Sequence, residues 1–314
     1  MKKYACLLLF AIMLNGCDDG DLTPEIIDFD EVTPQSCDTE TNELIYKLKT
    51  QEAFILQLGE NTLDNVVGEK TISITENGLP QLVYRTFDGV ISSANICDAI
   101  RPSSPNIIRD SKAKGGTITI TTTPDISEPA SDGSTTIKGF NHLIYMNNIS
   151  YEIVGGVQVD PRSFPFGTLK TTTYTSPVVS FTATNAGYCN QKLYNWSATN
   201  SIIIDALDPE LIQNTETLEP RKSTITATQN KIVFNTYKNA SITADYFCKT
   251  PRPATPEIDE TWNASVNGTI EVVTTKSGTQ YLHVITLKNI ELSNSAGLKF
   301  KLPSSFIFGE ITTQ

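Results

Sequence analysis

The chain repeats itself, and no other feature constrains its fold as much. Cys97 to Ile107 reads CDAIRPSSPNI, and Cys248 to Ile258 reads CKTPRPATPEI. Cys97, Arg101, Pro102, Pro105 and Ile107 match Cys248, Arg252, Pro253, Pro256 and Ile258 without a gap. Upstream, IIDF (26–29) before Cys37 stands where VVSF (178–181) stands before Cys189, and VYRTF (83–87) matches VFNTY (233–237). Downstream, GTITITT (116–122) matches GTIEVVT (268–274), HLIYMNNI (142–149) matches HVITLKNI (283–290), and FPFG (164–167) matches FIFG (306–309). The order of the blocks is kept throughout, which is the mark of a tandem duplication. The offset shrinks between the GTI and histidine blocks, so the first copy carries about ten extra residues, placed in DISEPASDGS (125–134), a stretch with the composition of a lengthened surface turn. The copies are read as 22–169 and 174–314, joined by 170–173, each of roughly 140 residues and so of normal domain size.

The periodic signal within each copy is β. GTITITTT, STITATQN and YLHVITLKNIEL alternate Ile, Val or Leu with Thr, Ser or charged residues, a period of two with one face buried. Turn pairs such as Asn77-Gly78, Asp88-Gly89 and Asn267-Gly268 separate the runs. NELIYKLKTQEAFILQL would also suit a helix, but its counterpart in the second copy contains NSIIIDAL, which favours strand. DPELIQNT looks like a weak helix start at Asp208-Pro209-Glu210. The expected fold is all-β: two tandem antiparallel β-sandwich-like domains.

The first residues, MKKYACLLLFAIMLNGC, carry Lys2 and Lys3 ahead of a short apolar run, the pattern of a secretion signal over 1–16. The run ends in Leu14-Asn15-Gly16-Cys17, which resembles the lipobox of bacterial lipoproteins; the resemblance implies cleavage before Cys17 and acylation of that cysteine. CDDGD then resembles the acidic export signal of surface lipoproteins in the Bacteroidota, with Asp18, Asp19 and Asp21 as the acidic residues of a tether over 17–21. The resemblance implies an anchor in the outer membrane facing the exterior, with a periplasm-facing anchor as the alternative. Several acyl chains hold firmly, since each buried CH₂ contributes about 0.8 kcal/mol. No other apolar run approaches the roughly 18 residues of a membrane helix.

Charged residues make up 19 % and hydrophobic residues 39 % of the chain, which suits a folded core rather than disorder. The net charge is −11, and more negative once Lys2 and Lys3 are removed. So acidic a chain is repelled by nucleic acid, which is excluded as a partner.

Setting aside Cys6 and Cys17 leaves four thiols. The repeat pairs them within copies, Cys37 with Cys97 and Cys189 with Cys248, and an exported chain keeps such bridges. A zinc site is the rival, but no C-x-x-C spacing occurs.

Candidates for chemistry are few. The two histidines, His142 and His283, occupy the same repeat position, which reads as one ancestral strand residue copied once rather than a ligand set. No G-x-S-x-G or calcium-loop motif is present, so neither catalytic residues nor a cofactor or metal are expected. Trp196 is read as core. Trp262, in DETWNAS and without a counterpart in the first copy, is the candidate contact for a carbohydrate or protein, against a place in the core or over the sheet. Arg101 and Arg252 are expected to cap carbonyls or meet a carboxylate, with a ligand role as the lesser alternative. The Arg-Pro-x-x-Pro segments, built on Pro102, Pro105, Pro253 and Pro256, are expected to be rigid crossovers towards the GTI strands. The function these readings favour is a non-enzymatic envelope lipoprotein displaying two domains for binding or assembly with an envelope protein. The alternative is a glycan-binding lipoprotein of a polysaccharide-utilisation system, and an enzyme with an unrecognised site ranks third.

Overall fold

The computed structural model describes residues 27–314 apart from 40, 154–155, 173, 183, 185 and 239–241. Cys17, Asp18, Asp19 and Asp21 lie outside the described residues.

The first copy contains β1 (Gln35–Ser36), β2 (Leu44–Leu48), β3 (Glu52–Gln57), β4 (Gly68–Ser73), β5 (Gln81–Phe87), a single helical turn α1 (Ala94–Cys97), then β6 (Ile107–Ile126), β7 (Ile137–Ile153) and β8 (Gly156–Thr171). The second contains β9 (Gly187–Cys189), β10 (Lys192–Trp196), β11 (Asn200–Asp205), β12 (Arg221–Thr224), β13 (Lys231–Tyr237), α2 (Asp245–Cys248) and β14 (Ile258–Ala264). It ends with β15 (Thr269–Ser277), β16 (Gln280–Lys288), β17 (Glu291–Asn294), β18 (Lys299–Lys301) and β19 (Ser305–Thr313). Every pairing is antiparallel.

The sheets carry the duplication. In the second copy one sheet runs β18-β17-β14-β13-β11-β10-β9 and the other β12-β15-β16-β19. In the first copy the order β1-β2-β3-β5-β6-β7-β8, with β4 on the far half of β6, follows the same path. The difference is that β6, β7 and β8 pass unbroken from one sheet to the other, where the second copy interrupts them. Register shifts mark the bends at Ala113/Gly115, Gly115/Thr117 and Asn147/Ile149, as expected where a strand turns a sandwich corner. Gly116 sits at such a bend with φ 121°, and a Cβ there would fall 2.7 Å from Ile149 Cδ1. Its counterpart Gly268 would meet Ile290 Cδ1 at 2.6 Å, so glycine is required twice for the same close approach.

The alternation read from sequence is what fills the space between sheets. Ile118, Ile120, Ile144, Met146 and Phe166 point inward beside Phe54 and Leu56. Ile270, Val272, Ile285, Leu287 and Phe308 do the same beside Ile202 and Ile204. All of these are buried, each worth about 1.5–3 kcal/mol by transfer from water. The residues ahead of the first strands close both sandwiches alike: Phe29 lies edge-on to Tyr84 at 6.3 Å, and Phe181 edge-on to Phe234 at 6.5 Å.

As the second-copy counterpart suggested, NELIYKLKTQEAFILQL is strand, the hairpin of β2 and β3. DPELIQNT forms only the three-residue 3-10 turn Pro209–Leu211, capped by the Asp208 carboxylate on Glu210 N–H. Strand β8 continues to Thr171, past the boundary read at 169, because Thr168 to Thr171 complete its ladder with β7.

The insertion of the first copy reaches the second. Thr135 N–H donates to the Lys301 carbonyl at 3.1 Å, Lys301 N–H returns a bond to Thr135 Oγ1 at 2.9 Å, and Ser304 N–H donates to the Asp132 carbonyl at 2.7 Å. This caps edge strand β18, whose backbone groups would otherwise be open. Ile137 and Phe140, on the strand that follows, belong to the second copy's core, Phe140 lying edge-on to Tyr174 at 5.7 Å.

Candidate functional site

Both histidines are fully buried at the same place in their copies. Thr171 Oγ1 donates to Asn65 Oδ1 at 2.9 Å, so it accepts from His142 Nε2–H at 3.1 Å; Nδ1 then accepts from the Thr122 hydroxyl at 3.0 Å. In the second copy Thr313 donates to Asn214, accepts from His283 Nε2–H at 2.8 Å, and Thr274 donates to Nδ1 at 2.9 Å. The two Thr–His–Thr–Asn quartets are equivalent residue by residue. Burial pushes both imidazoles below their ordinary pKa. Around His142 the Asp64 carboxylate opposes the shift and Lys70 adds to it; around His283 the Arg221 guanidinium adds to it. Both rings are thus held neutral with each nitrogen satisfied, tying the ends of three neighbouring strands together. A crevice of about 250 Å³ lined by Asp64, Glu69, Lys70 and Thr122 lies over the first quartet, but the Thr122 hydroxyl is already spent on Nδ1. Neither ring is placed to take a proton from a substrate.

Lys47 is a functional candidate that the sequence did not flag, because a strand lysine reads as solvated. It is 2 % exposed, donates to the Phe29 carbonyl at 2.6 Å and lies 5.7 Å over the Phe166 ring. Burial lowers its pKa while Asp30 and Asp28 oppose that. Its counterpart Asn195 donates to the carbonyls of Thr182 and Phe308. The shared position, and not an amine, is what persists, so this is a tie between the entry segment and the sandwich.

The disulfides join Cys37 to Cys97 and Cys189 to Cys248, with Cα separations of 5.3 and 5.9 Å. Each pins a helical turn over the outer face of the larger sheet and encloses a small second core. In the first copy this contains Tyr46, Ile55, Val83, Phe87 and Ile96; in the second, Tyr194, Tyr237, Tyr246 and Phe247. The proline segments lead from these turns into β6, which carries its GTI sequence past its bend, and into β14, which is followed by the GTI strand β15, so the crossover reaches the GTI sequence one strand segment later than expected. Pro105 packs close to Gly89, where a Cβ would lie 3.2 Å away, and Pro256 offers its carbonyl to Tyr246 Oη at 3.2 Å. Pro102 and Pro253 lie in the same loops. The arginines do not do what was expected of them: Arg252 lies 5.6 Å over the Tyr246 ring, and Arg101 makes neither a carbonyl cap nor an ion pair among the described residues.

The two tryptophans differ in burial. Trp262 is 0 % exposed, lies edge-on to Phe300 at 5.0 Å and donates from Nε1 to Glu260 at 3.1 Å. It is core and cannot be a contact for a partner, because its side of β14 faces the opposing sheet. Trp196 is half-buried on the outer face, 5.8 Å from both Tyr194 and Phe247. The coplanar ring pair in that cluster, Tyr194 and Phe247 at 4.6 Å and 15°, is buried. A polar depression of about 520 Å³ on the second copy is lined by Asp259, Glu260, Thr261, Asn263 and Ser293 to Ala296. Among the described residues no group of three or more His, Cys, Asp or Glu could hold a metal ion.

No protein-family model, curated protein or solved structure matches the chain.

Proposed function

We propose that the chain is a lipid-anchored protein of a bacterial outer membrane, facing the exterior, whose two related β-domains bind or assemble with other envelope components without catalysing a reaction. The observation that carries the address is Leu14-Asn15-Gly16-Cys17 followed at once by Asp18, Asp19 and Asp21. The absence of catalysis is supported by the histidines, since both are saturated by threonine hydroxyls in equivalent quartets. Metabolic labelling with an alkyne fatty acid should tag the chain, and Cys17→Ser should abolish the tag. Protease added to intact cells should remove the chain; complete protection would overturn surface exposure in favour of a periplasm-facing anchor.

A second reading, glycan binding, draws on the polar depression around Asp259, Thr261 and Asn263. Against it stands the burial of the coplanar aromatic pair. A glycan array giving saturable binding that Asn263→Ala removes would favour it over protein assembly.

A further inference from the structure

The two copies also differ where the disulfide-pinned turn meets the outer face of the larger sheet. In the second copy this place is filled: Phe247 stacks on Tyr194, Trp196 packs beside both, and Tyr246 carries Arg252 over its ring. The strands below hold Asp205 opposite Lys231 and next to Lys192, so their charges compensate one another. In the first copy Tyr46 keeps the place of Tyr194, whereas Asn95, Ile96 and Leu48 stand for Tyr246, Phe247 and Trp196, and a cavity of about 230 Å³ opens beside Ile96. Where the second copy has Asp205 and Lys231, the first has Gln57 opposite Gln81. The arginine is kept in both copies, but in the first no aromatic ring receives it.

Of the polar groups around this cavity, Arg85 alone is paired among the described residues. Arg85 is neutralised by Asp110 through two bonds of 3.1 and 3.3 Å. Arg101 has no ion pair or hydrogen bond among the described residues, and the side-chain amides of Gln57 and Gln81 likewise have no partner. The floor beneath them is aliphatic, from Ile55, Val83 and Ile96. A cavity with an apolar floor and a few convergent polar groups is the usual form of a binding site.

We propose that this cavity of the first copy binds the C-terminal residue of a partner polypeptide. One uncompensated guanidinium matches one negative charge, and its planar fork suits a carboxylate. Gln57 and Gln81 supply donors and acceptors for the last peptide groups, and the aliphatic floor receives a small alkyl side chain. No aromatic ring lines the cavity, which disfavours a sugar ring. The surroundings suit a polypeptide: Ile100, beside Arg101, is 91 % exposed and Leu79, two residues from Gln81, is 52 % exposed. The site rests on first-copy side chains and not on the lipid anchor, so a different cellular address would leave it intact.

The test uses the full chain and a fluorescent acetyl-Gly-Gly-X tripeptide set with X as Ala, Val, Ile or Leu, each as free acid and as C-terminal amide. At least one free acid should bind saturably, with the amide and Arg101→Ala each weaker by about tenfold or more. Ile96→Phe, which installs the residue the second copy already accommodates, should abolish binding while the thermal transition is kept, and Arg252→Ala should change nothing. Equal binding of acid and amide, binding unaffected by Arg101→Ala, or no saturable binding by any free acid up to ~5 mM would overturn the proposal. Galacturonate binding more tightly than every peptide would overturn the polypeptide assignment.

Discussion

Acidification should cost this protein stability through His142 and His283, and the amount follows from the two quartets. Each ring is fully buried with both nitrogens bonded in the neutral form, and burial holds each pKa below the ordinary 6.5. Unfolding frees both imidazoles to charge, so the unfolded chain binds protons more strongly than the folded one. Stability is therefore complete above about pH 6.5 and falls as pH drops below it, until the folded-state pKa is passed. At about pH 5.5 an unfolded imidazole is protonated roughly ten to one, which lowers stability by up to about 1.4 kcal/mol per histidine relative to about pH 7.5. The pair therefore contributes at most about 3 kcal/mol. Asp160 and Glu271 are held below the carboxylate range by Arg162 and Lys222, so their losses begin only below about pH 4.5, outside this window. Urea denaturation followed by the fluorescence of buried Trp262 measures the change. The wild-type midpoint should fall between the two pH values. The double variant His142→Gln, His283→Gln should be weaker at neutral pH yet nearly flat across the same interval. A wild type equally stable at both values, or a double variant that keeps the slope, would refute the reasoning, as would a folded histidine C2 proton titrating at or above pH 6.5.

Three other outcomes follow from the packing. Deleting residues 127–134 removes the bond from Ser304 N–H to the Asp132 carbonyl and the turn that presents Thr135 to β18, so it should lower second-copy stability by about 1–3 kcal/mol and broaden the distance distribution in solution scattering; an unchanged distribution would show that the copies are held elsewhere. Replacing Cys37 and Cys97 by alanine opens a loop of 60 residues and should cost about 4 kcal/mol in urea unfolding, with the Cys189–Cys248 pair costing about the same. Trp262→Ala should cost about 3–5 kcal/mol as a core truncation; a variant of wild-type stability that lost a binding activity would return Trp262 to the surface.

The amino-acid sequence by itself determined the duplication, the cysteine pairing and the strand alternation. These are properties of pattern: matched blocks keep their order, and a period of two assigns one face of a strand to the core whatever lies opposite. It also located the insertion and identified the histidines as one residue copied. What lies opposite is decided only in three dimensions. Trp262 sits in a polar stretch, yet its side chain falls on the inner face of β14, where Phe300 covers it. DISEPASDGS reads as a surface turn, yet its Asp132 carbonyl accepts from Ser304 N–H of the other copy and the residue that follows it, Thr135, caps β18. Lys47 reads as a solvated strand residue until the Phe29 carbonyl and Phe166 ring close over it. The first-copy cavity is the least legible of all, because no single residue announces it. It lies where Ile96 stands for Phe247, and volume is felt only where neighbours pack to near crystal density.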